Sequence, residues 1–85
     1  MADSYPCPCC GFLTLGGPPP GTFEICPVCW WEDDAAQFFD PQFAGGANPL
    51  SLEEAKLNYL AFGAGMKEDV SKVRRPLPEE IPYPN

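Results

Sequence analysis

Four of the five cysteines fall into two pairs, Cys7-Pro8-Cys9-Cys10-Gly11 and Cys26-Pro27-Val28-Cys29-Trp30. Each pair sets two thiols three residues apart, and 15 residues (11–25) separate the pairs. That is the spacing of a tetrahedral zinc site. A tight turn lets both thiolates of one pair point at one ion while backbone N–H groups aim at the sulfurs. Pro8 and Pro27 pre-set φ for those turns, and Gly11 permits the positive φ that closes the first of them. The predicted ligands of a single ion are therefore Cys7, Cys10, Cys26 and Cys29.

A disulfide framework is the competing use of cysteines. Five is an odd number, adjacent Cys9 and Cys10 pair poorly, and the chain reads as one for a reducing compartment. Cys9 occupies the third position of its turn, where its side chain should point away from the ion. It is either a spacer or a spare thiolate open to ligand exchange or oxidation. A closed four-cysteine zinc site has no open coordination position and serves folding rather than catalysis. Its binding free energy, on the order of 10 kcal/mol, exceeds what so small a core supplies. The same thiolates could hold one iron, as in a rubredoxin. Affinity at equilibrium favours Zn2+ over Fe2+, so zinc leads and iron stays as the alternative.

Acids and aromatics follow the second pair. Glu32, Asp33 and Asp34 are consecutive, with Asp40 six residues on. They could hold a hard cation or act as acid and base, which would make a carboxylate-dependent hydrolase or nuclease. Consecutive residues seldom converge on one ion, so a solvated acidic face that also caps a helical turn is the plainer reading. Trp30, Trp31, Phe38, Phe39 and Phe43 are expected mostly to pack over the metal turns. The two adjacent tryptophans cannot easily both point inward, so one should reach the surface, where an aromatic beside carboxylates suits a basic protein partner.

The elements that must position these groups are few. Eighty-five residues allow one small domain, and 12 prolines with 8 glycines interrupt helices and central strands. The runs at 12–15 and 22–25 are β-prone and bracket Gly16-Gly17-Pro18-Pro19-Pro20-Gly21, so a hairpin between the pairs is predicted to bring the two turns face to face. Asp34 ahead of Gln37 predicts a short helical turn over 35–39. Gly45-Gly46-Ala47-Asn48 lacks the Lys-Ser/Thr of a phosphate loop and reads as a tight turn. The main helix starts at Ser51, whose capping box with Glu54 precedes Leu52, Ala55, Tyr59 and Phe62 on one face with Leu60 beside them. Gly63 stops it, and Asn58 is placed to hydrogen-bond loop backbone. Residues 1–70 form the predicted four-cysteine domain. Residues 71–85 read as a proline-rich extended tail, with four prolines in the last ten positions, ordered only where it lies against the domain.

Charge removes further functions. The net charge is −7, and no Lys or Arg precedes Lys56 whereas eight acids do. Such a chain repels phosphates, so no nucleic-acid partner is expected. There is no His, which excludes Ser-His and Cys-His catalytic pairs and His-containing metal sites. No apolar run approaches the roughly 18–20 residues of a membrane span. The start, Met1-Ala2-Asp3-Ser4, lacks the basic and apolar regions of a secretory signal, so a cytoplasmic location is expected.

Several blocks together resemble the CPCC-type cysteine-rich bacterial proteins. They are Cys7-Pro8-Cys9-Cys10-Gly11, the run from Glu24 through Cys26-Pro27-Val28-Cys29-Trp30-Trp31 to Asp34, Gly45-Gly46-Ala47-Asn48, and Ser51-Leu52 with Glu54-Ala55, Asn58-Tyr59 and Phe62-Gly63. The resemblance spans about residues 5–65. It departs at the Gly-Gly-Pro-Pro-Pro-Gly segment, where a polar loop is usual, and the tail after Lys67 lies outside it. It implies a small zinc-binding protein, sometimes carried as a module of larger ones, and no particular activity.

The expected fold is a small metal-stabilised α+β domain: a zinc-ribbon-like hairpin with two Cys-x-x-Cys turns and one main C-terminal helix. The expected function is non-enzymatic protein interaction. A rubredoxin-like electron carrier and a carboxylate-dependent enzyme are the alternatives.

Overall fold

A computed structural model describes residues 4–82. The opening residues and the end of the 71–85 tail lie outside the described residues. The chain forms a small α+β domain with a radius of gyration of 11.9 Å, built from a two-stranded antiparallel hairpin, a short helix and one main helix.

Strand β1 (Tyr5–Pro6) pairs with β2 (Leu13–Leu15), with Tyr5 opposite Leu15 and Pro6 opposite Leu13. The hairpin is thus present, but its partners differ from the predicted ones. It wraps the first cysteine turn instead of joining 12–15 to 22–25. Residues 22–25 pair with the chain that follows the second turn: Phe23 N–H donates to Asp33 O, Asp33 N–H to Glu24 O, and Ile25 bridges Glu32. The reason is local. Each Cys-x-x-Cys turn closes on itself through a backbone hydrogen bond, Gly11 N–H to Cys7 O and Trp30 N–H to Cys26 O, so each flank meets its own partner, whereas Pro18, Pro19 and Pro20 have no N–H with which to close the equally long Gly/Pro loop. Side chains link the two units, through Thr14 Oγ1 to Cys26 Sγ at 3.0 Å and Gly16 N to Glu24 Oε1 at 2.7 Å.

Helix α1 (Ala35–Phe39) starts where Asp34 accepts from Gln37 N–H. Helix α2 (Leu52–Phe62) begins at the capping box of Ser51 and Glu54 and stops at Gly63, whose φ of +84° is the left-handed region glycine tolerates. Its inward face is narrower than predicted. Leu52 and Ala55 are buried, and Tyr59 packs edge-on to Phe12 at 6.3 Å between ring centroids. Leu60 is 83% exposed and Phe62 borders solvent, because at about 100° per residue they stand about 80° to either side of Leu52 on the helix, at the edges of its inward face.

The segment after α2 folds back over the second turn. Gly65 N–H donates to Cys29 O at 2.8 Å, and Asn58 Nδ2 donates to Gly65 O at 2.9 Å. Further on, Arg74 N–H donates to Pro27 O at 3.1 Å, and the Arg74 guanidinium grips the Glu80 carboxylate with two 2.9 Å bonds. The single turn over Pro78–Glu80 contacts β2. No helix among the described residues is long and apolar enough to cross a membrane.

Candidate metal centre

The two cysteine turns share one construction. Gly11 N–H donates to Cys7 O at 2.8 Å, and Trp30 N–H donates to Cys26 O at 2.7 Å. Closing each turn needs positive φ, +82° at Gly11 and +73° at Trp30. Glycine accepts this freely, whereas tryptophan is held there at a cost of order 1–3 kcal/mol that its surroundings must offset.

These turns bring together the thiols of Cys7, Cys10, Cys26 and Cys29. Their Sγ atoms all lie within 4.8 Å of one another, with Cys7–Cys29 at 3.6 Å and Cys10–Cys26 at 3.7 Å. Four sulfurs at about 2.3 Å from a tetrahedral ion stand about 3.8 Å apart, so the donor set fits a thiolate-bound metal. The backbone is arranged to stabilise sulfur charge. Cys9 N–H points at Cys7 Sγ, Val28 N–H at Cys26 Sγ and Trp31 N–H at Cys29 Sγ, each at 3.4 Å. Cys26 also receives the Thr14 hydroxyl. The Cys26 thiol is accordingly pushed well down, first by its bond from Cys10 and then by those from Cys29 and Cys7. The same crowding pushes Cys10 and Cys29 well up, through the bond to Cys26 for Cys10 and the bonds to Cys10 and Cys26 for Cys29. A bound cation removes this conflict, because a coordinating thiol is deprotonated outright. Cys7, Cys26 and Cys29 are buried and Cys10 half-buried. Among the described residues, no other group of three or more Cys, Asp or Glu side chains could share an ion.

Cys9 is outside the cluster. It is buried in the core, with its sulfur 4.0 Å from where a Cβ on Gly65 would stand. That placement suits packing rather than exchange chemistry.

The acidic block is not a solvated face. Asp33 is fully buried, and its Oδ2 accepts from Thr22 N and Oγ1 at 2.9 and 2.8 Å, while Oδ1 has no partner. Asp34 is buried too. Its Oδ1 caps α1 through Gln37 N at 3.1 Å and its Oδ2 accepts from Ala47 N at 2.8 Å. These N–H groups, Ala47 first, hold its carboxyl below the usual carboxylate range. The two carboxylates tie distant loops to the second turn instead of converging on a cation. Of the three acids, only Glu32 is half-buried and not buried.

Two residues carry more than the sequence suggested. Gln37 is fully buried, donating from Nε2 to Phe43, Asn48 and Leu50 carbonyls and accepting from Asn48 N and Nδ2. Asn48 in turn brackets the Glu32 backbone, accepting from its N–H at 2.9 Å and donating to its O at 2.8 Å. Gly46 passes so close that a Cβ would stand 2.8 Å from Asp34 Oδ2. The expected tight turn is therefore built around buried polar groups. The only sign in the sequence was their polarity between loop residues, which reads equally well as solvent exposure.

The tryptophans divide as expected. Trp31 is buried and Trp30 half-buried. The phenylalanines do not cover the metal turns: Phe38 and Phe39 stack edge-to-face at 5.3 Å on the surface, and Phe43 is exposed.

Two hairpin turns that gather four thiols, braced by one capped helix, define a small cysteine-rich protein equipped to bind a metal. The family model described as Cysteine-rich CPCC matches residues 5–80, and the chain belongs to that family. The match runs well past residue 65, so the segment after Lys67 is part of the family pattern, contrary to the resemblance read from the motifs alone. Compared with the curated proteins, the chain matches none.

Proposed function

We propose that the protein is a zinc-binding interaction module. One Zn2+ is held by Cys7, Cys10, Cys26 and Cys29 in a zinc-ribbon-like pair of turns, as a structural ion, and the partner is a basic protein. The observation that carries this reading is the closure of the thiol cluster. Three of the four sulfurs are buried, all are within 4.8 Å of one another, and a four-thiolate site leaves no position for substrate or water. Three of the nine residues in the buried core cluster, Cys7, Cys26 and Cys29, are ligands of that ion. Without an ion these would be mutually repelling polar groups in a core too small to compensate, which is why the metal belongs to folding. A net charge of −7 supports the choice of a basic partner. Elemental analysis of the purified protein tests the metal: one zinc per chain with no visible thiolate-to-metal absorption is expected. One iron per chain with strong visible absorption would replace this reading with the electron carrier.

A further inference from the structure

Beside the second metal turn lies a cavity of about 180 Å³ whose walls include Ile25, Trp30, Glu32, Asn48, Met66 and Asp69. At about 30 Å³ per water it has the room of roughly six waters, enough for the aliphatic stem and ammonium of a lysine side chain. No basic residue lines it. Asp69 is buried, and Glu32 uses only its backbone in bonding Asn48, leaving its carboxylate without a partner among the described residues. The ring and the carboxylate already hold a cation. The Lys72 ammonium, which is not part of the wall, stands 5.9 Å from the Trp30 ring centroid and 3.1 Å from Asp69 Oδ1. A π-face and a carboxylate with an ammonium between them is how proteins recognise alkylammonium groups.

We propose that this cleft binds a lysine side chain of the basic partner, with Lys72 as an internal competitor for Trp30 and Asp69. The inference rests on the interaction reading above and names what that surface recognises. Ile25 and Met66 would cover the methylene stem, Trp30 and Asp69 would take the ammonium, and Glu32 would supply the free charge. The positive φ of Trp30 sets the indole at the cavity wall, a placement the first turn, with Gly11 at the equivalent position, does not reproduce.

The test is a titration of the purified, metal-loaded protein with n-butylammonium, and with n-butanol as its neutral counterpart, followed by NMR of the Trp30 indole, the Asn48 side-chain amide and the Gly65 and Met66 amides. Saturable shifts at these groups are expected at about millimolar ammonium, with butanol clearly weaker. Glu32→Gln should weaken binding about threefold and Lys72→Gln should strengthen it about threefold, the range of a partly exposed ion pair. Trp30→Gly, which suits the left-handed turn, should abolish it. Lys56→Gln, which removes the same charge from exposed helix surface, should change little. Absence of saturation, equal binding of butanol, or equal gains from Lys56→Gln and Lys72→Gln would overturn the proposal. A capped lysine-rich peptide that binds wild type and Trp30→Gly equally would overturn the cleft while leaving the basic-partner reading standing. Metal content of the same samples reports on the zinc reading separately.

Discussion

Asp34→Ala separates a structural acidic block from a solvated one more sharply than any other substitution. On a solvated face, removing one negative charge from a chain of net −7 would be neutral or slightly stabilising. In the structure, the change strips the cap from Gln37 N, 3.1 Å away, and the acceptor from Ala47 N, 2.8 Å away. The lost cap costs about 0.5–2 kcal/mol. The lost charge-assisted bond to Ala47 costs about 1.5–3 kcal/mol. Relief of repulsion from neighbouring acids returns a few tenths, so the net loss is about 3 kcal/mol, against a total stability of about 5–15 kcal/mol for such domains. Urea unfolding of the metal-loaded protein at pH 7 reads this directly. With a slope of about 1 kcal/mol/M, the midpoint should fall by about 2–3 M. The pH is chosen by the sign of the Asp34 shift. Its folded value is depressed, so its contribution is complete above the unfolded value of about 3.9 and fades only as pH falls through the folded one. Glu68→Gln, which removes an equal charge at an exposed site, should stay within about 0.5 kcal/mol. Indistinguishable midpoints for the two variants would refute the buried-cap account.

Serine at Cys7, Cys10, Cys26 or Cys29 should abolish stoichiometric metal and leave the chain largely unfolded by circular dichroism, whereas Cys9→Ala should retain both; loss of metal in Cys9→Ala would show that the ligand set is wrong. Leu52→Ala should cost about 2–5 kcal/mol in the same urea assay while Leu60→Ala, at an 83% exposed position, should cost no more than about 0.5 kcal/mol. Tyr59 is pushed up to about 12, by burial first and then by the charge of the cysteine cluster. Its burial therefore stabilises the fold fully below the unfolded value of about 10 and progressively less as pH rises through the folded one. The phenolate absorbance step removed by Tyr59→Phe should have its midpoint near 12. Gel shifts with duplex DNA and structured RNA should show no binding at about 150 mM salt, and micromolar affinity would overturn the charge argument.

What could be read in the sequence was whatever local chemistry decides alone. Cysteine spacing limited which thiols could meet, the capping box at Ser51 and Glu54 and the stop at Gly63 bounded α2, and adjacency pointed to the difference in burial between Trp30 and Trp31. What could not be read depended on long-range partners. Asp33 and Asp34 look like surface charges until Thr22 and Ala47 supply their N–H and O–H donors. Gln37 and Asn48 look like loop residues until they bond each other. Both β-prone runs have the same pattern and the connecting segments are equally long, so only the backbone closure of each cysteine turn distinguishes pairing across it from pairing across the Gly/Pro loop. Leu60 lies beside the inward face at helical spacing, but a periodic pattern says nothing about how wide the partner surface is.

The second cysteine turn joins more of the molecule than the first, and this links the thiol cluster to the candidate binding cleft. Cys29 O accepts from Gly65 N, and Pro27 O accepts from Arg74 N, so the chain beyond α2 is fastened to the turn by its own carbonyls. Trp30 closes the turn with its backbone and lines the cleft with its ring, while Asp69 and Met66 reach the same cleft from the fastened segment. An ion that holds Cys26 and Cys29 therefore also holds the turn whose carbonyls dock residues 65 and 74. Removing it should release both cleft walls together. The extension of the family match to residue 80 fits this arrangement, since the segment after the helix completes the surface beside the thiol cluster instead of trailing from it.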